Sequence, residues 1–256
     1  MSSGSAAVGQ ALMAARDVTK MYDGFAAVNH VDLDIERASI HALIGPNGAG
    51  KSTFLNMLGG QLLPTSGEIF LEGQPLGASR PSQRALMGIG RSFQLTSIVP
   101  GFTCLENVII AVQARRRLTR LLRLDSRPED VEFAREQLAL VGLSDAAAVP
   151  AELLAHGNQR QLEIAMALGA KPRVLLLDEP SSGMSGHERG ALPDLLRKLA
   201  TQATIVMAEH DVHLVRTVAT RVTAFSEGAK IADGSAEEVF GNPEVQRVFL
   251  RGVRDV

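Results

Sequence analysis

Gly45-Pro46-Asn47-Gly48-Ala49-Gly50-Lys51-Ser52 fits the pattern G-x-x-x-x-G-K-[ST], in which a turn of backbone amides cradles the phosphates of a nucleoside triphosphate. The flanks suit that reading. Residues 39–44 (Ser-Ile-His-Ala-Leu-Ile) predict a short strand entering the loop, and residues 52–58 (Ser-Thr-Phe-Leu-Asn-Met-Leu) a helix leaving it. Gly59-Gly60 then punctuates the end of that helix. Glycines let consecutive N–H groups turn towards one anion, and the helix N-terminus adds amide donors and partial positive charge. Lys51 reaches the β- and γ-phosphates, the Ser52 hydroxyl is a ligand for Mg²⁺, and Thr53 continues the first turn.

Composition narrows the setting. The 256 residues are 45% hydrophobic with a net charge of −2, an ordinary globular balance with no global attraction to nucleic acid. The single cysteine, Cys104, excludes an internal disulfide, fits a reducing compartment and reads as an inert core or near-core thiol. No apolar run approaches the ~20 residues that span a bilayer, and the first ten residues lack a signal-peptide pattern. A cytosolic, soluble chain is expected, with residues 1–14 as a disordered tail.

Along the chain, residues 15–20 and 26–35 alternate as two strands of an antiparallel layer. Between them lies Tyr22, the only tyrosine in a chain without tryptophan. It is a candidate to stack on a nucleotide base, or else packs at a sheet edge. Residues 67–73 read as another strand, 81–87 as a short helix, and 89–94 as a strand ending on Gln94. Thr103-Cys104-Leu105-Glu106 and Ser126-Arg127-Pro128-Glu129 are capping boxes opening two helices. Their stripes are Leu105, Val108, Ile109, Val112 and then Val131, Ala134, Leu138, Val141, with Gly142 as the stop. Arg115, Arg116, Arg117, Arg120 and Arg123 form a basic cluster between them, either a solvated helix face or a contact for phosphates or lipid headgroups.

Val174-Leu175-Leu176-Leu177-Asp178 and Thr204-Ile205-Val206-Met207-Ala208 are apolar runs expected of strands buried on both faces. Leu192, Leu195, Leu196 and Leu199 supply a helix between them, giving a βαβ unit with a right-handed crossover. Pro193 predicts a late start or a kink in that helix. From Arg221 onward short strands and one last helix are expected. Asp178-Glu179 ends the first run at the carboxyl edge of a sheet, where such folds bind ligands. Asp178 suits Mg²⁺ and Glu179 the orientation or deprotonation of an attacking water.

With these motifs in order, the sequence resembles the ATP-binding subunits of ABC transporters from about Ala15 to Arg251. Tyr22 matches the loop that stacks on adenine, and Gln94 the glutamine that senses Mg²⁺, the water and the membrane partner. Leu154-Ala155-His156-Gly157-Asn158-Gln159 resembles the signature L-S-G-G-Q. Glu179 matches the catalytic glutamate, Ser182-Gly183-Met184-Ser185 the loop crossing the dimer interface, and His210 the switch histidine at the γ-phosphate. Ala155 replaces the signature serine, and Ser185 stands where the crossing loop usually carries aspartate.

The resemblance implies an α/β fold: a P-loop NTPase (RecA-like) core with an antiparallel β layer and an inserted α-helical subdomain at about 95–170, in one domain spanning 15–256. It also implies ATP and Mg²⁺ as cofactors and a head-to-tail dimer, homodimeric or with a paralogue. Each ATP would lie between Gly45, Pro46, Asn47, Gly48, Ala49, Gly50, Lys51, Ser52 and Thr53 of one subunit and Ala155, His156, Gly157 and Asn158 of the other. Glu179, His210, Gln94 and Lys51 would carry hydrolysis, with Ser52, Gln94 and Asp178 holding the metal. Permease subunits would hold the chain at the inner face of the cytoplasmic membrane, and a periplasmic or extracellular binding protein would act indirectly.

Within the superfamily the sequence most resembles ATPases of branched-chain (hydrophobic) amino-acid importers. The residues that carry this are Gln159-Arg160-Gln161-Leu162-Glu163-Ile164-Ala165, the Ser-Gly-Met-Ser loop, and Asn242-Pro243-Glu244-Val245 through Val248-Phe249-Leu250. Urea or short-amide importer ATPases and the lipopolysaccharide-export ATPase look similar. A soluble ABC ATPase acting on DNA or ribosomes fits less well. The interval from Gln94 to Gly157 is too short for a long coiled coil, and there is one cassette. No Asn-Lys pair exists for a guanine-reading GTPase motif.

Overall fold

A computed structural model describes residues 11–91, 98–114 and 127–251. Gln94, Leu95 and Thr96, and the arginine cluster from Arg115 to Arg123, lie outside the described residues. In chain order the first elements are β1 (Ala11–Tyr22), β2 (Phe25–Glu36), β3 (Ile40–Ile44), α1 (Lys51–Gly59), β4 (Ser66–Leu71) and β5 (Gln74–Pro75). Then come α2 (Pro81–Leu86), β6 (Ile89–Arg91), α3 (Cys104–Ala114), α4 (Pro128–Leu140), α5 (His156–Gly169), β7 (Val174–Asp178) and α6 (Gly186–Ala200). The chain continues with β8 (Thr204–Ala208), α7 (Val212–Val218), β9 (Arg221–Ser226), β10 (Ala229–Gly234), α8 (Ala236–Gly241) and α9 (Pro243–Arg251).

These elements form two compact units, 11–81 with 204–251, and 82–203. In the first, an antiparallel sheet runs β2-β1-β4-β5, with Val18 opposite Val31 and Ala15 opposite Ile69. Its other strands run β10-β9-β3-β8. There β3 lies parallel to both neighbours, Leu43 facing Ala208 on one side and Thr223 on the other. All five residues of β3 and of β8 are buried, as continuous apolar runs require. The Phe54 ring of α1 packs on Phe225 of β9 with centroids 5.5 Å apart. In the second unit β6 and β7 pair in parallel, and Val108, Val112, Ala134, Leu138, Leu162 and Leu168 form the interior of α3, α4 and α5. Cys104 is buried there with its Sγ donating to Val149 O at 3.3 Å, and burial raises its pKa.

Four local expectations change. β1 begins at Ala11 rather than Ala15, so residues 11–14 belong to the strand and not to the tail. Leu12, Met13 and Ala14 are buried, and Met13 and Ala14 pair with β2 and β4. The box at Thr103 and Glu106 forms; in the second, Ser126 lies outside the described residues, and α4 starts one place later than the box predicts. Pro128 takes the first helical position of α4, which makes Arg127 the N-cap and puts Glu129 one place too early to reach back as the third residue. α6 starts at Gly186 and runs through Pro193, because Ser185 and Glu188 cap it reciprocally well upstream of the proline. Two helices, α8 and α9, follow β10 in place of one, since Asn242-Pro243 ends the first and opens the second.

Candidate active site

In the first unit, β3 delivers the chain into residues 45–50. Gly45 and Gly50 have φ of 148° and 103°, and a β-carbon on them would stand 2.3 Å from Phe225 O and 2.4 Å from Ala27 O. Only glycine fits both the backbone and the space at those two positions. The turn after β9 braces the loop: the Gly228 amide donates to Ala49 O at 3.1 Å, and the Asn29 amide donates to Gly228 O at 2.9 Å. Gly50 is the N-cap of α1, and no acidic residue in the first turn offsets the positive helix end. The first-turn amides, with half-buried Ser52 and Thr53 beside them, therefore make an anion seat. Lys51 is buried at its stem, and its Nζ donates to Gly45 O at 2.7 Å and Pro46 O at 3.0 Å, holding the ammonium over the loop.

Tyr22 ends β1 opposite Phe25 across the two-residue turn Asp23-Gly24, both at positive φ, the geometry that matches strand twist in tight hairpins. Its ring is 45% exposed and lies 5.3 Å from Lys20 Nζ, an open platform of the kind a base can cover. His210 follows β8 with its side chain 58% exposed. The preceding Glu209 is buried, and its carboxylate accepts the amides of His210 at 2.8 Å and Asp211 at 3.0 Å. The Glu209 amide in turn donates to Leu43 O at 3.0 Å, which ties the histidine's backbone to β3.

In the second unit, β7 carries Asp178 to the strand end. Its buried carboxylate lies 3.4 Å from Arg91 Nη2, and burial lowers the Arg91 pKa while Asp178 opposes the shift. Glu179 is half-buried with φ of 46°, a left-handed backbone uncommon for a non-glycine residue, and Pro180 follows it. The Ser182 amide donates to Glu179 O at 3.0 Å. The signature residues open α5: Ala155 is its exposed N-cap, His156 is exposed, Gly157 is buried and Asn158 half-buried. The crossing loop meets them, since a β-carbon on Gly183 would stand 3.1 Å from His156 Cδ2. A cavity of about 190 Å³ is lined by His156, Gln159, Arg160 and Glu163 of α5 together with Asp178, Glu179 and Ser182.

The structure thus places the phosphate loop, Tyr22 and His210 on the first unit, and the signature, Asp178, Glu179 and the crossing loop on the second. Arg91 and Glu209 were not singled out by the sequence, and Arg160 entered only as part of the run 159–165, with no role in the site. Arg160 follows Gln159 directly after the signature and Glu209 precedes His210, so adjacency to a motif was the available signal. No cluster of three His, Cys, Asp or Glu side chains that could hold a metal occurs among the described residues. Mg²⁺ does not need one. It takes one or two protein oxygens and completes its shell with phosphate and water, so a serine hydroxyl and an aspartate carboxylate suit it chemically.

Comparison with known proteins decides the family. A family model described as ABC transporter matches residues 28–182. The branched-chain amino acid transport ATP-binding protein BraF of Pseudomonas aeruginosa is 35% identical, over 91% of this chain and 95% of its own. This chain belongs to the ABC transporter family. LivG of Escherichia coli K12, a high-affinity branched-chain amino acid transport ATP-binding protein, is also 35% identical, over 94% of this chain and 98% of its own. A nucleotide-free ATP-binding cassette from an ABC transporter superposes with a TM-score of 0.82 at 24% identity, covering 93% of this chain and 98% of that one. The cassette cbiO1 of Clostridium perfringens, part of the ABC transporter complex cbiONQ, gives 0.78 at 27% identity, covering 96% and 97%. The cassette is accordingly an ATP-binding, ATP-hydrolysing subunit with a P-loop NTPase fold. No helix among its described residues is long and apolar enough to cross a membrane.

Proposed function

We propose that this cassette hydrolyses ATP to power import of branched-chain or similar hydrophobic amino acids through separate permease subunits, bound peripherally at the inner face of the cytoplasmic membrane. The observation that carries the reading is end-to-end similarity to two ATP-binding proteins of branched-chain amino acid transport, at 35% identity across nearly all of both chains.

In this reading Tyr22 stacks on adenine, while the amides of residues 45–53 and Lys51 bind the phosphates. A second cassette subunit supplies Ala155, His156, Gly157 and Asn158 across a head-to-tail dimer. Ser52, Asp178 and Gln94 hold Mg²⁺, which when bound neutralises charge on the phosphate oxygens. Glu179 orients and deprotonates the attacking water, and His210 donates to the γ-phosphate. Three features support the reading: an anion seat at α1, a half-buried carboxylate at the end of β7, and an exposed imidazole braced by Glu209.

Two measurements test it. Lys51→Ala should abolish ATP binding, whereas Glu179→Gln keeps the shape, binds ATP and loses turnover. Cells whose only copy is Glu179→Gln should lose uptake of radiolabelled leucine. Undiminished leucine uptake alongside lost hydrolysis would overturn the substrate, and wild-type hydrolysis by Glu179→Gln would overturn the base.

A further inference from the structure

Arg160 lies in the second turn of α5, one residue beyond the signature, and joins two things the reaction keeps apart in sequence. Its Nη1 donates to Glu163 Oε2 at 2.9 Å, and its Nη2 donates to the carbonyl oxygen of Asp178 at 2.5 Å. That carbonyl belongs to the peptide plane linking Asp178 to Glu179. Rotation of this plane changes the ψ of Asp178 and the φ of Glu179 together, and that φ helps to set the direction in which the Glu179 carboxylate leaves the backbone. Glu179 sits at 46°, in the sparsely populated left-handed region that Glu72 and Glu227 also take, and a hydrogen bond fixing the adjoining carbonyl restrains it there.

Glu163 keeps the guanidinium in place. The Arg160 and Glu163 side chains are 17% and 5% exposed, and the planar fork lets one cation satisfy a carboxylate and a carbonyl in fixed directions. Burial raises the Glu163 pKa, while Arg160 and His156 pull it back. The same cavity walls hold His156, Asp178 and Glu179.

We infer that Arg160 is a positioning residue for ATP hydrolysis, oriented by Glu163 and acting through the Asp178 carbonyl to hold the backbone that aims Glu179. The inference rests on Glu179 being the base. It makes the signature helix a support for the chemistry of its own subunit, beyond any contact that the signature makes with nucleotide.

The test compares kcat and KM for ATP in the wild type, Arg160→Lys, Glu179→Gln and the double variant Arg160→Met with Glu163→Leu. The double change removes both charges together, so neither is left buried and unpaired. It should keep the wild-type Tm and KM while kcat falls by up to about 100-fold, the penalty for a reacting group displaced by an ångström. Arg160→Lys, which keeps the charge but loses the fork, should give an intermediate kcat at unchanged KM. Wild-type kcat in the double variant, or kcat and KM lost together, overturns the inference. If the double variant does not fold, unchanged kcat in Arg160→Lys does so instead. Glu179→Gln separates the two readings. If it is inactive while the Arg160 variants are normal, only this inference fails; if it turns over normally, the assignment of the base fails as well.

Discussion

Ala155→Ser should stabilise the cassette before any nucleotide is present. Ala155 is the N-cap of α5, with φ of −59° and ψ of 153°, and its carbonyl already accepts the first helical bond from the Gln159 amide at 2.9 Å. Its methyl group cannot accept a hydrogen bond from the first turn. Three other helices show what is missing: Ser185, Asp211 and Ser235 accept the amides of Glu188, Leu214 and Glu238 at 3.4, 3.0 and 3.2 Å. A serine at 155 has the same backbone conformation and an exposed position, so its hydroxyl meets the Asn158 amide without displacing anything. An N-cap of this kind is worth about 1 kcal/mol. In a domain of this size that raises Tm by roughly 2–4 °C. Differential scanning calorimetry of the nucleotide-free protein reads the capping contribution alone. The hydroxyl proton remains available for a γ-phosphate bound by the second subunit, a contact worth roughly 1.5–3 kcal/mol. In a Glu179→Gln background the ATP-bound dimer should therefore tighten about 10- to 100-fold, measured by sedimentation against ATP concentration. An unchanged or lower Tm refutes the capping argument. A raised Tm with an unchanged dimer refutes the phosphate contact.

Two further outcomes follow from buried geometry. Gly50→Ala places a β-carbon 2.4 Å from Ala27 O on a backbone at φ 103°, so it should cost at least about 1–3 kcal/mol in urea unfolding and weaken ATP binding; wild-type values for both would show that the loop relaxes freely. His41 lies on β3 beside β9, with its Nε2 2.7 Å from Thr223 Oγ1 and no partner on Nδ1 among the described residues. Burial lowers its pKa from 6.5 to about 4 against the pull of Asp233, with Arg221 and Lys230 adding to the drop. The folded state favours the neutral ring, so unfolding takes up a proton below pH 6.5. Stability should be complete above that value and fall by up to about 3 kcal/mol as pH drops towards 4. Urea titrations at pH 7, 6 and 5 read that slope, and His41→Gln should flatten it; an identical slope in the variant would place the acid sensitivity elsewhere.

What the sequence made legible is what local chemistry dictates. The runs 174–178 and 204–208 predict β7 and β8 to the residue, because strands buried on both faces leave no choice of pattern. The phosphate loop, its strand and its helix are equally plain, since two of its glycines have no substitute. What stayed hidden depends on partners distant in sequence. Residues 11–14 look like a tail until β4 covers one edge of β1, and nothing near Arg160 shows that its guanidinium reaches the carbonyl of Asp178. Asp23-Gly24 and Ser185-x-x-Glu188 were legible signals of a hairpin and a helix start that the strand and helix patterns overshadowed.

The two departures from the family pattern, which look alike in sequence, differ in physical consequence. Ser185 stands where the crossing loop usually carries aspartate, yet the structural duty of the position is to cap α6, and it does so with a complete capping box. Serine and aspartate are nearly equivalent there, and what is lost is one negative charge at a positive helix end. Ala155 occupies the cap of α5, where alanine is among the poorest choices, so the signature helix starts without the bond that its neighbours have. Reverting the two should therefore have unequal effects. Ser185→Asp should leave Tm nearly unchanged, because an existing cap is exchanged for its equal, whereas Ala155→Ser adds a bond. A Tm rise from Ser185→Asp as large as that from Ala155→Ser would mean that charge at these helix ends outweighs capping, and the ranking of the two departures would reverse.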